Sequence, residues 1–166
     1  MNKVFLSLGT NVGSRQSNLT KATLLIDDLV NTAIKLKSSI YETAPMYNEK
    51  QDYFLNQVIL IGTTLSPKRL LKETKYIERI MGRKKKGDNM PRIIDIDILD
   101  FEGFFLDSSE LSLPHPRILD RKFILQPWVE VSPNHIIEGQ SLSIKELYTN
   151  YLGNRFENQK VDIINS

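Results

Sequence analysis

The run at residues 91–99, PRIIDIDIL, constrains this chain more than any other stretch of similar length. It is short and β-branched, and Pro91 and Glu102-Gly103 bound it, so it reads as a strand buried on at least one face. Residues i and i+2 of a strand point the same way. Asp95 and Asp97 therefore share one face, and Ile94, Ile96 and Ile98 the other. Two carboxylates roughly 7 Å apart repel each other, so a cation belongs between them. The simpler alternative is an amphipathic strand with both aspartates in water. Aspartate is poorly suited to strand interiors, however. Two hard oxygen donors on one face suit Mg²⁺, which takes one or two carboxylates and leaves positions for water and phosphate. Asp95 and Asp97 are candidate metal ligands, with Arg92 and Asp100 adding charge nearby.

The segments around this strand alternate in period. KVFLSLGT (3–10) reads as a strand ending in a turn, and residues 15–30 place Leu19, Ala22, Leu25, Ile26 and Leu29 on one helical face. IKLKSSIYE (34–42) alternates as a half-exposed strand, and YFLNQVILIGTTL (53–65) as a longer one. Ser66 then N-caps a helix with Pro67 at its first position. That helix runs through Leu70, Leu71, Thr74, Ile77 and Met81 to Gly82. Strand, helix, strand, strand, helix, strand is the split βαβ order of a ferredoxin-like α+β domain, an antiparallel sheet with both helices on one face. Added C-terminal elements follow. These are a short strand at FFL (104–106), a helical stretch over 117–130 broken by Pro127, and a helix over 143–152. The polar end from Asn154 is expected to be loosely ordered. No repeat or linker interrupts residues 1–166, so a single domain is expected.

Charge narrows the partners. Lys and Arg total 22 against 20 Asp and Glu, a net charge of +2, too balanced for a general nucleic-acid binder. An RNA-binding module of the same topology would show a K/R-G-F/Y pattern, which is absent. The chain has no cysteine, which excludes disulfides, thiolate metal sites and cysteine nucleophiles. No window approaches the ~18 consecutive apolar residues of a membrane helix, and the start lacks the apolar core of a signal peptide. A cytoplasmic protein without membrane contact is expected.

Two basic clusters flank the aspartates. LPHPRILDRKF (113–123) gathers His115, Arg117, Arg121 and Lys122, and arginine grips phosphate oxygens in bidentate fashion. GRKKKGDNMPR (82–92) packs five positive charges into a loop, either a solvated run or a lid over a phosphate chain. LGTNVGSR (8–15) lacks the GK[ST] of a phosphate loop and reads as a structural turn.

PRIIDIDIL followed by LSLPHPR and DRKF, with LSLGTN near the start and FILQPW at 123–128, resembles the hydroxymethyl-dihydropterin pyrophosphokinases of folate biosynthesis. Such enzymes have a ferredoxin-like core and transfer pyrophosphate from ATP to 6-hydroxymethyl-7,8-dihydropterin, releasing AMP. The resemblance implies that Asp95 and Asp97 hold two Mg²⁺ ions, with Arg83 and Arg92 as further catalytic groups. Arg92, His115 and Arg121 would grip the phosphates of ATP. Ile98, Leu111 and Ser112 would line the adenosine site, with Glu78 as another nucleotide contact. Thr43, Ala44, Met46, Phe54, Asn56 and Phe123 would form the pterin pocket, Asn56 bonding the ring edge and the two phenylalanines sandwiching its faces. Such transfer needs positioning and charge stabilisation and no nucleophilic side chain. The family's loop before PR carries further arginines and a Trp-Gly pair; here KKKGDNM is a residue shorter, and Met90 or nothing replaces that aromatic. The implied partners are small molecules alone, the protein acting as a monomer, beside neighbouring folate-pathway enzymes. A catalytically silent paralogue is the competing reading, against which intact Asp95, Asp97, Arg92 and His115 stand.

Overall fold

The computed structural model describes residues 1–46, 49–84, 90–152 and 154–164. Strand β1 (Asn2–Thr10) lies inside a sheet and sorts its residues by the two-residue period. Val4, Leu6 and Leu8 enter one core and Phe5 another. Helix α1 (Arg15–Asp27) follows, then β2 (Thr32–Lys37), β3 (Tyr41–Thr43) and β4 (Phe54–Thr63). Helix α2 (Pro67–Ile80) begins with the Ser66 side chain accepting from the Arg69 amide, behind Pro67 at the first position. Strand β5 (Asp95–Phe101) completes the series. The sheet order is β5-β1-β4-β3-β8, where β8 is Val161–Ile163, with β2 also on β4 and every pairing antiparallel. This is the ferredoxin-like order expected, its second strand divided in two.

Leu19, Ala22 and Ile26 of α1 and Leu70 and Ile77 of α2 pack with Leu6, Leu8, Ile59 and Ile96 on one face. The C-terminal additions cover the other. Helices α3 (Lys122–Val131) and α4 (Ile144–Tyr151) bring Leu125, Trp128 and Leu147 against Phe5, Val58 and Leu99. Trp128 is fully buried. Removing ~200 Å² of indole from water contributes roughly 5 kcal/mol.

Five local expectations change. The strand expected over 34–42 is interrupted at Ser38, whose hydroxyl accepts from the Val58 amide at 3.1 Å, where a continued ladder would use a carbonyl. Strand β5 starts at Asp95, not Pro91, because the Arg92 amide donates to Asn11 Oδ1 (2.8 Å) and is held by the turn after β1. The helix expected over 117–130 breaks at Arg121, which is extended after a 3₁₀ turn at Ile118–Asp120. Pro127 lies inside α3, where it costs one backbone bond and packs buried. Of FFL, only Leu106 enters a strand, β6 (Leu106–Asp107), paired with β7 (Ser112–Leu113), while Phe104 packs edge-on to Phe101. The polar end is ordered through most of its length. Phe156 is buried beside Tyr148 and Tyr151, and β8 (Val161–Ile163) occupies the edge of β3 that would otherwise stay open.

Candidate active site

A cleft of about 480 Å³ opens at one end of the α3-bearing face of the sheet. Its floor is Ser7 and Gly9 of β1, Asn56 of β4, and Asp95 and Asp97 of β5. These are same-face positions on three neighbouring strands: Gly9 stands opposite both Asn56 and Asp95, and Ser7 opposite Asp97.

One end is polar and aromatic. Asn56 is buried, and its Nδ2 donates to Thr43 Oγ1 at 2.8 Å. That bond fixes the side chain across paired strands and aligns its amide edge. Phe54 comes from the start of β4 and Phe123 from the first turn of α3, with Ala44 and Met46 on the loop after β3. All six residues proposed from the sequence for a flat ring line this cleft.

The other end is ionic. Arg83 Nη1 and Arg92 Nη1 each lie 2.5 Å from an oxygen of Asp95. Burial raises the Asp95 pKa, but the two guanidinium groups more than offset it and hold the carboxyl below its ordinary value. Among the described residues Asp97 has one ion pair, with Arg121 at 3.9 Å, and Lys75 acts on it from farther away. Burial and then the Asp95 charge push it up to about 6. His115 is fixed by its amide, which donates to the Leu99 carbonyl at 2.7 Å, and its Nδ1 accepts from the Arg117 amide at 3.1 Å. Burial and the neighbouring Arg121 and Arg117 push its pKa down to about 4, so the imidazole is neutral with Nε2–H free to donate.

Four residues proposed for the nucleotide do not line the cleft. Ile98 is buried in the core on the opposite side of the sheet, as the strand period requires once Asp97 faces the cleft. Leu111 packs on that same core, and Ser112 Oγ is within 3.5 Å of Asp107 Oδ1 on the β6–β7 hairpin. Glu78 is 3% exposed. Burial raises its pKa, and Lys75 and the Ile96 amide pull it back. Lys122 turns away, its Nζ donating to the Gln159 carbonyl. Of the expected lid, Lys85, Lys86 and Gly87 lie outside the described residues.

Sequence reasoning missed Lys75, which reaches the cleft from α2, and Ser7 and Gly9 on its floor. Gly9 carried a signal, since glycine inside a strand marks close approach of another group. Among the described residues no cluster of three or more carboxylate or imidazole groups gathers. The pair Asp95 and Asp97 nevertheless fits Mg²⁺, which completes its shell with water and substrate phosphates, and among the described residues no cation lies nearer Asp97 than Arg121 at 3.9 Å.

A family model described as 7,8-dihydro-6-hydroxymethylpterin-pyrophosphokinase matches residues 5–133. The 2-amino-4-hydroxy-6-hydroxymethyldihydropteridine pyrophosphokinase of Bacillus subtilis is 38% identical over 130 residues, covering 78% of each chain. That of Aquifex aeolicus is 38% identical over 136 residues, covering 82% of this chain and 84% of the other. The folic acid synthesis protein FOL1 of Dictyostelium discoideum is 36% identical over 135 residues, 81% of this chain, which spans only 20% of that protein. Among solved structures, Plasmodium falciparum HPPK-DHPS with pterin and p-hydroxybenzoate superposes with a TM-score of 0.74 at 21% identity. The match covers 95% of this chain and 43% of that one, and it shows a shared fold.

Proposed function

The chain belongs to the 7,8-dihydro-6-hydroxymethylpterin-pyrophosphokinase family, and we propose that it transfers pyrophosphate from ATP to 6-hydroxymethyl-7,8-dihydropterin in folate biosynthesis, releasing AMP. One observation carries this reading. A ring-sized polar and aromatic end, with Asn56, Phe54 and Phe123, shares one cleft with two carboxylates and several arginines.

In this reading Asn56 and Thr43 bond the pterin edge and the two phenylalanines hold its faces, so the hydroxymethyl group is directed toward Asp95 and Asp97. Its oxygen attacks the β-phosphorus and releases its proton to water, the bond from that phosphorus to the α-bridging oxygen breaks, and AMP leaves with the electron pair. Asp95 and Asp97 would hold Mg²⁺, which when bound neutralises triphosphate charge and activates the attacking oxygen. Arg83 and Arg92, which share Asp95 in this structure, have donors to spare for phosphate oxygens. Arg121 and the neutral Nε2–H of His115 donate from the opposite wall. No side chain forms a covalent bond to substrate.

Among the described residues no helix is long and apolar enough to cross a membrane. The folic acid synthesis protein FOL1, of which this chain spans only 20%, supports a place beside another folate-pathway enzyme. The test is AMP formation from ATP with and without the dihydropterin and Mg²⁺. AMP that requires both is expected; pterin-independent AMP, or none, overturns the reading.

A further inference from the structure

We propose that Glu78 is a positioning residue that sets the placement of Asp95 and Asp97; this rests on the function proposed above. Its side chain is buried beneath the cleft and does not line it. Strand β5 is an edge of the sheet, and Asp95 and Asp97 stand at the very start of its ladder with β1. Strand ends fray first. Between the two aspartates sits Ile96, whose amide on the open edge donates to Glu78 Oε1 at 2.8 Å. A carboxylate acceptor makes this a strong bond, and it anchors the strand to α2 at the one residue flanked by both cleft carboxylates.

The same carboxylate reaches two cleft cations. Lys75 Nζ is 3.0 Å and 3.2 Å from its two oxygens, and Arg83 Nη1 is 2.7 Å from Oε2. Arg83 Nη1 continues to Asp95 Oδ1 at 2.5 Å. Glu78 thus holds the backbone of the carboxylate pair from behind and its principal cation from the side. At the pterin end, built on β4, β3 and α3, Asn56 is held instead by Thr43. A mere buried anchor between α2 and β5 would disturb both ends of the cleft alike.

The experiment compares Glu78→Ala and Glu78→Gln with the parent chain. It reads hydrogen exchange at the Ile96 amide, and calorimetric affinity for a non-hydrolysable ATP analogue with Mg²⁺ and, separately, for the dihydropterin. In Glu78→Ala, Ile96 exchange accelerates and Mg-nucleotide affinity falls about tenfold or more, the loss typical of one charge-assisted hydrogen bond, while pterin affinity holds. Glu78→Gln keeps an oxygen for the Ile96 amide and restores its protection, with nucleotide affinity between the two. Unchanged Ile96 exchange in Glu78→Ala, or parallel loss of both affinities, overturns the proposal. If Glu78→Ala does not fold, Glu78→Gln decides: reduced nucleotide affinity at normal pterin affinity supports it, and parental affinity for both overturns it. Absence of pterin-dependent AMP from the parent would sink the functional reading instead, and Ile96 exchange would still test the anchor.

Discussion

Gly9 of β1 lies opposite Asn56 of β4, and a methyl group on Gly9 would stand 3.2 Å from Asn56 Oδ1. That is closer than ordinary van der Waals contact, so glycine is what lets the Asn56 amide approach β1 this closely.

Gly9→Ala is therefore expected to weaken pterin binding without removing any group that touches the ring. Asn56→Ala should cost pterin affinity about 1–3 kcal/mol, the range for a lost hydrogen bond in a buried site. ATP affinity should barely move in either variant. Calorimetry showing equal losses for both ligands would take Asn56 out of the pocket.

The two aspartates should respond differently to truncation. Turnover is expected to fall by about two orders of magnitude in both Asp95→Ala and Asp97→Ala, as for loss of one electrostatic group at a transition-state site. Asp97 is partly buried, and its one ion pair among the described residues is with Arg121 at 3.9 Å, so Asp97→Ala should melt no lower than the parent when metal-free. Asp95→Ala leaves Arg92 without its carboxylate and Arg83 with Glu78 alone, and should melt lower. Near-parental turnover of Asp97→Ala at saturating Mg²⁺ would refute the metal assignment.

His115 predicts a pH dependence of stability. Its pKa falls from 6.5 to about 4 in the folded chain. Above 6.5 both states are neutral and the contribution is complete. As pH falls toward 4 the unfolded chain takes up a proton and the folded chain does not, so stability is lost across that window. The loss attributable to this residue is about 2–3 kcal/mol. Urea unfolding of the parent and His115→Gln should show their difference changing by that amount between pH 7 and 4. A constant difference would place His115 in contact with water.

The order of elements through β5 was legible because the period of most segments matched their final state. Asp95 and Asp97 were legible because carboxylates are rare in strands and their spacing fixed a shared face. What was hidden depended on partners distant in sequence. Lys75 sits on an amphipathic helix as any solvated lysine would, and only the approach of β5 turns it toward the cleft. Glu78 gave no local sign that its carboxylate would accept from the Ile96 amide on the open edge of β5. The two-residue period already placed the Ile98 side chain behind the sheet. Ser38 gave no local warning that its hydroxyl would replace a ladder carbonyl. The ordered C-terminal end became possible only once β3 offered a free edge.

The central claim is that the cleft moves a diphosphate and not a single phosphate. ATP labelled at the β-phosphorus separates the two in one reaction with the dihydropterin and Mg²⁺. Diphosphate transfer carries the label to the pterin and leaves unlabelled AMP, in equal amounts. Label retained in ADP, or appearing in inorganic phosphate without pterin, would contradict the account.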